Sequence, residues 1–369
     1  MTSVDTQAES SIADLARLAR QSSDLIVSLQ DPSGAYPASP TFSAYRGYCW
    51  FRDGAYIADG VSSMGEVESA SAFFDWCARI LEGRAKQIDG IVAAAAAGSP
   101  VADADMLPTR FTFDGSDGDD EWWDYQLDGY GTWLWAVVEH AERHGLALDR
   151  WSRAIEISVA YLRSSWQRPC FDWWEENADQ VHVSTLGCIA GGFIAVDRAG
   201  LASLTNEVAA IRQLITDQGL HDGHLAKWLG STAVDGSLAS VVSPLAVFAP
   251  QTPIGAATIA AIESELTVDD GVHRYLDDTF FGGGQWPLLS CMLGLAHVEA
   301  GNPARALELL RWAASQSTAE GYLPEQVADH LLDPAMVDEW VERWGTVATP
   351  LLWSHAMFAR LAVALEVAK

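Results

Sequence analysis

The chain is 369 residues long, 49% hydrophobic, and carries a formal net charge of −28. Nucleic acid and anionic membranes are gripped through basic surfaces, so this acidity excludes both as partners and fits a neutral small-molecule substrate. Sixteen tryptophans are far above ordinary usage; indoles fill large cores or stack on flat apolar faces, sugar rings included.

The opening stretch, Met1–Ser11, is polar and acidic, with neither the basic n-region nor the apolar h-region of a secretion signal. The longest apolar run, from Ile91 into the following alanines, is too short to span a bilayer. A cytoplasmic protein is the expectation. The five cysteines (Cys49, Cys77, Cys170, Cys188 and Cys291) are scattered and include no Cys-x-x-Cys pair, which argues against a disulfide framework or a structural zinc site.

Helical periodicity dominates from the first element onward. Ile12–Leu29 places Ile12, Leu15, Leu18, Ala19, Leu25, Ile26 and Leu29 at three- and four-residue spacing. Further helices are predicted at about 53–64, 67–94, 128–143, 147–166, 183–199, 204–217, 234–247, 253–265, 285–300, 303–316 and 350–367. Three starts, Thr252-Pro253, Asn302-Pro303 and Thr349-Pro350, pair a capping side chain with proline at the first helical position. There the side-chain oxygen accepts an orphan N–H, and proline gives up nothing because no donor is needed. Twelve helices with alternating short and long connections predict six helical hairpins closed into a double ring. No linker or composition break divides the chain, so one domain is expected over residues 1–369.

The long connections are 45–52, 109–126, 168–180, 271–284 and 321–349, and each is rich in aromatic, Asp and Arg residues. Chemistry concentrates on such loops. In Phe171-Asp172-Trp173-Trp174-Glu175-Glu176-Asn177 two carboxylates follow two tryptophans. A carboxyl against an apolar wall has its pKa raised, as a general acid requires. Another carboxylate, Glu325, stands in Tyr322-Leu323-Pro324-Glu325-Gln326. By themselves these stretches fit a core tryptophan beside a solvated acidic loop equally well. Arg52-Asp53, at a helix start, offers a fork of donors beside a bare acceptor, which suits vicinal hydroxyls, but also reads as a capping ion pair. Asp119, Asp120 and Asp124 form an acidic cluster of the kind that holds magnesium, although such loops are more often only solvated. No metal-ligand spacing occurs, and no metal or cofactor is expected. His355 reads as a core histidine, and no serine has a nucleophile-elbow context.

Taken in order, Tyr48-Cys49-Trp50-Phe51-Arg52-Asp53, Gln126-Leu127-Asp128-Gly129-Tyr130-Gly131, Trp174-Glu175-Glu176, Arg274-Tyr275-Leu276-Asp277-Asp278-Thr279, Leu323-Pro324-Glu325-Gln326 and Pro350-Leu351-Leu352-Trp353-Ser354-His355 resemble the inverting glucoamylase family, glycoside hydrolase family 15. The resemblance implies an all-α (α/α)6 barrel, in keeping with the helix count. It implies that Glu175 is the general acid and Glu325 the general base, which inverting enzymes hold about 6.5–9.5 Å apart to admit a water. It places Arg52, Asp53, Arg274 and Asp278 on the hydroxyls of the non-reducing glucose, and Trp122 (or its neighbour Trp123), Trp174 and Trp353 on the pocket wall. Glu176 matches a contact to the departing sugar.

Two departures stand out. Phe280 replaces a tyrosine of fungal members, and the segment 327–348, with Trp340 and Trp344, is longer and is expected to reshape the departing-sugar side. With no room for an N-terminal β-sandwich or a starch-binding domain, the chain is similar to compact members acting on small sugars such as isomaltose. The implied activity is inverting exo-α-glucosidase on an α-1,6 linkage, without cofactor. The alternatives are an α-1,4-acting glucoamylase, a trehalase, or a sugar-binding protein on a retired barrel. A terpene-cyclase-like barrel would need a basic diphosphate cluster that the sequence lacks.

Overall fold

The computed structural model describes residues 11–118 and 125–368. In chain order the helices are α1 (Ile12–Leu29), α2 (Phe51–Ser63), α3 (Val67–Gly83), α4 (Ala85–Ala96), α5 (Asp128–His144), α6 (Ser152–Ser165) and α7 (Val183–Arg198). They continue with α8 (Thr205–Gln218), α9 (Leu238–Val242), α10 (Pro253–Ala261), α11 (Pro287–Glu299), α12 (Pro303–Ser315), α13 (Val337–Trp344) and α14 (Leu352–Ala364).

Contacts run α2–α5–α7–α9–α11–α14 and back to α2, which closes an inner ring. Around it α1, α3, α6, α8, α10 and α12 pack from outside. This is the (α/α)6 barrel. The sequence explains which helix goes where: α7 is apolar on every face and buried throughout its first eleven residues, as an inner helix must be. In contrast α8 buries only Val208, Ile211 and Ile215, a single stripe at three- and four-residue spacing. Two glycines let α5 and α7 approach backbone to backbone. A Cβ on Gly131 would meet the Cys188 carbonyl oxygen at 2.5 Å, and one on Gly192 the Gly131 carbonyl oxygen at 2.4 Å.

The end of the barrel remote from the connections into the inner helices is tied by Asp59 of α2. Its carboxylate accepts from Arg143 of α5 at 2.5 Å and from Arg360 of α14 at 3.0 Å. At the opposite end a short antiparallel pair, β1 (Tyr48–Trp50) with β2 (Arg110–Thr112), stiffens the approach to α2. All five cysteines are buried free thiols. No helix among the described residues is long and apolar enough to cross a membrane.

Several elements differ from expectation. The helix predicted over 67–94 breaks after Gly83, a weak helix former, and α4 turns away to lay Ile88 and Ile91 toward the core beside α6. The helix predicted over 234–247 shrinks to α9. Gly236 N–H is already committed to the Arg274 carbonyl, and Pro244 has no N–H with which to continue. Thr252 and Asn302 cap α10 and α12 as predicted. Thr349 does not cap α14, which starts two residues after Pro350. The N–H groups of Leu351 and Leu352 go instead to the carbonyls of Leu323 and Ala38. Finally, α13 lies inside the connection 321–349, behind a turn capped by Asp333.

Candidate active site

The connections leading into the inner helices converge at one end of the barrel, around a cavity of about 850 Å³. Those helices therefore direct their N-termini, with their partial positive charge, toward the site. A separate groove of about 610 Å³ between α4 and α6 is mostly apolar and holds no facing pair of carboxyls.

The first turn of α2 supplies Arg52 and Asp53. Arg52 is buried against the indoles of Trp173 and Trp353, at 5.9 and 5.6 Å from their ring centres. It donates to Gln126 Oε1 at 2.6 Å and to Asp128 Oδ2 at 2.9 Å, so the start of α5 fixes its direction. Asp53 Oδ2 lies 3.3 Å from Arg52 yet accepts no hydrogen bond from the protein. Burial pushes the Asp53 carboxyl up to about 6, with Arg52 opposing and Glu175 reinforcing.

The loop before α7 folds into a tight turn organised by Asp172. Its Oδ1 accepts from the backbone N–H groups of Trp174 and Glu176, both at 2.9 Å. Its own N–H donates to the Glu176 carbonyl, and its carbonyl accepts from Glu175 N–H, each at 3.0 Å. Glu175 sits at the tip with φ of 65°, a left-handed conformation that a residue with a Cβ holds only when its surroundings impose it. The Glu175 carboxylate accepts from Trp50 Nε1 at 2.5 Å. Glu176 accepts from Tyr275 Oη and lies 3.6 Å from Arg274. Burial raises its pKa, against the pull of Arg274 and Tyr275. The Trp174 indole packs on Trp286 and on Arg274.

Glu325 comes from the connection into α14. Its Oε1 accepts from Tyr45 Oη at 2.8 Å, and its Oε2 is buried without a hydrogen-bond partner in the protein. Burial pushes this carboxyl up to about 7; the Tyr45 hydrogen bond and Arg274 oppose, and Asp53 and Asp278 reinforce. His355 supports the segment from behind. Its Nε2 accepts from Leu323 N–H at 2.9 Å and its Nδ1 faces Ser22 Oγ at 2.8 Å. Burial lowers the imidazole to about 3, so it stays neutral, as a core histidine should.

Glu175, Glu325, Arg52, Asp53, Trp174, Glu176, Arg274 and Trp353 thus line one cavity. Asp278 stands apart from them: it is buried behind Arg274, gives both carboxylate oxygens to that guanidinium, and also accepts from Phe280 N–H. Its placement orients Arg274 and keeps it from facing the cavity itself. Trp122 and the acidic cluster Asp119, Asp120 and Asp124 lie outside the described residues. Reading the sequence missed Tyr45, Trp50 and Arg343 as lining groups. Tyr45 and Trp50 stood in a loop already marked by its aromatic content, but nothing in that loop singled them out. Trp340 and Trp344, flagged for the longer segment, do reach the cavity, where Trp340 meets Phe280 edge-on at 4.8 Å.

Indole walls, buried carboxyls and arginine forks at the mouth of an (α/α)6 barrel are the equipment of a glycoside hydrolase. The family model described as glycosyl hydrolases family 15 matches residues 14–292, and the chain belongs to that family. It is similar to an isomaltose glucohydrolase of Kribbella flavida, 54% identical over 358 residues that cover 95% of this chain and 93% of the relative. Among solved structures it is similar to a wild-type glycosidase at TM-score 0.95 and 53% identity, covering 97% of this chain and 98% of that one. The same holds for a glycosidase solved in complex with glucose. A glucoamylase from Saccharomycopsis fibuligera shares the fold at TM-score 0.71 and 15% identity, over 99% of this chain and 98% of that one.

Proposed function

We propose that the protein is an inverting exo-α-glucosidase that hydrolyses isomaltose and short isomalto-oligosaccharides at the non-reducing end, releasing β-glucose. The substrate rests on the similarity to the Kribbella flavida isomaltose glucohydrolase. The mechanism rests on one observation: Glu175 and Glu325 line the same cavity from separate loops, each accepting a hydrogen bond from a neutral aromatic donor.

In this reading Glu175 protonates the glycosidic oxygen as the bond from that oxygen to C1 breaks. A water attacks C1 from the opposite face and passes its proton to Glu325, so configuration inverts. Glu175 ends as a carboxylate and Glu325 as an acid, and exchange with solvent restores both. Arg52, Asp53 and Arg274 hold the hydroxyls of the terminal glucose, and Asp53 Oδ2 offers an acceptor that the protein leaves unused. Trp174 and Trp353 stack on the sugar, and Glu176 contacts the departing ring. These groups need no metal.

The test is proton NMR of fresh enzyme with isomaltose, with maltose and trehalose in parallel. Early β-glucose from isomaltose is the expected result, and early α-glucose would overturn the two-carboxylate assignment. Glu175→Gln and Glu325→Gln should each lower kcat by about 100-fold or more, with circular dichroism unchanged.

A further inference from the structure

Lys227 lies behind the cavity wall and plays no part in the mechanism above. Its ammonium is buried, 2.8 Å from Asp235 Oδ2, 3.5 Å from Asp172 Oδ2, and 3.3 Å from the centre of the Tyr275 ring. A charge taken out of water persists only where its partners offset the lost hydration. Here each partner also holds a different part of the turn that carries Glu175. Asp172 binds the backbone N–H groups of Trp174 and Glu176. Asp235 accepts from Trp174 Nε1 at 3.0 Å, and is itself fixed by Ser237 through the backbone N–H at 2.8 Å and the hydroxyl at 2.6 Å. Tyr275 donates to Glu176.

We propose that Lys227 is a positioning residue for the general acid: one buried cation joins the three groups that pin the turn on both sides of its left-handed tip. The inference rests on the reading of Glu175 as the acid. The turn has no helix or strand to hold it, and Glu175 has an unfavourable backbone conformation, so its aim depends on these clamps. The Asp235 carboxyl responds to the same cation. Burial would raise its pKa, but Lys227 and the Ser237 hydrogen bonds outweigh burial and hold it below the ordinary value. Asp172 and Asp235 both lie within ion-pair distance of the Lys227 ammonium, a contact that a neutral side chain of similar length cannot supply.

The experiment compares two substrates on Lys227→Met and on the double variant Lys227→Met/Asp235→Asn, which removes the closer ion pair as a unit and carries the test if the single variant fails to fold. Isomaltose needs its leaving oxygen protonated; α-glucosyl fluoride releases fluoride with little help from an acid. Misplacing the acid should lower kcat on isomaltose roughly ten- to a hundredfold, with kcat on the fluoride held within about threefold. An equal fall on both substrates, or no change in a folded variant, would overturn the proposal. Glu175→Gln in the same assay tests the underlying reading separately. If it loses both activities equally, the acid assignment fails irrespective of Lys227; if the unaltered enzyme leaves isomaltose intact, the substrate reading fails instead.

Discussion

Glu325 is kept in an environment that favours its uncharged form, although in its proposed role as base it must act ionised. Activity on the free enzyme should therefore fall as pH drops through about 7, where burial places this carboxyl. A kcat/KM profile on isomaltose checks this, and a flat response between pH 6 and about 8 would contradict it. The same shift affects stability. A carboxyl whose pKa is raised on folding contributes stability below its unfolded value, and that contribution is lost as pH rises through the folded value. Glu325→Gln should thus raise the thermal midpoint at about pH 8, and the gain should vanish below the ordinary carboxyl value of 4.5. Both glutamates could be found in the sequence because each sits in a compact local signature, Trp-Glu-Glu and Pro-Glu-Gln. Tyr45 could not, because its partner lies 280 residues further along the chain and a local pattern carries no trace of that contact.

Among the elements, α13 is the one through which the proposed function predicts substrate choice. It is exposed, buries none of its residues fully, and brings Trp340, Arg343 and Trp344 to the outer part of the cavity. Arg343 stands over both rings, at 5.6 Å from Trp340 and 5.1 Å from Trp344. Under the proposed function a flat wall at this position is expected to meet the departing sugar more than the reacting one. Trp344→Ala should raise KM for isomaltose about fivefold with kcat nearly unchanged, which corresponds to one aromatic contact of about 1 kcal/mol. Steady-state kinetics decide it, and an equal loss in kcat would place the residue nearer the reacting bond. Long amphipathic or wholly apolar helices were legible from periodicity. Eight-residue α13 was not, although Val337, Trp340, Val341 and Trp344 fall at three- and four-residue spacing, because a stripe two turns long does not stand out inside a segment of mixed aromatic and acidic residues. The five residues of α9 were overestimated because nearby loops had already claimed the flanking N–H groups.

Across the whole molecule, the ring is joined where α14 meets α2, and Asp59 holds that seam with Arg143 and Arg360. Burial alone would raise the Asp59 pKa, but the two guanidinium groups outweigh burial and hold it below 3.8. This contribution is present above that ordinary value and lost as pH falls further. Asp59→Ala leaves two arginines facing a buried gap and should cost about 3–5 kcal/mol in chemical denaturation. kcat should survive in the folded fraction, since the seam lies at the far end from the cavity. A double ring could be read from the number and spacing of helices. Its closure could not, because it depends on a contact between residues 301 positions apart.

That seam governs when the protein can first work. Glu325 and Trp353 are contributed just before and within the last inner helix, whereas Tyr45, Trp50 and Arg52 come from the approach to the first. A growing chain on the ribosome can stack its early hairpins as they emerge, but the pocket has only part of its wall until α14 emerges and docks against α2. Under the proposed mechanism hydrolytic competence therefore waits for α14, and a barrel lacking that helix meets a sugar with only one of the two proposed carboxyls in place.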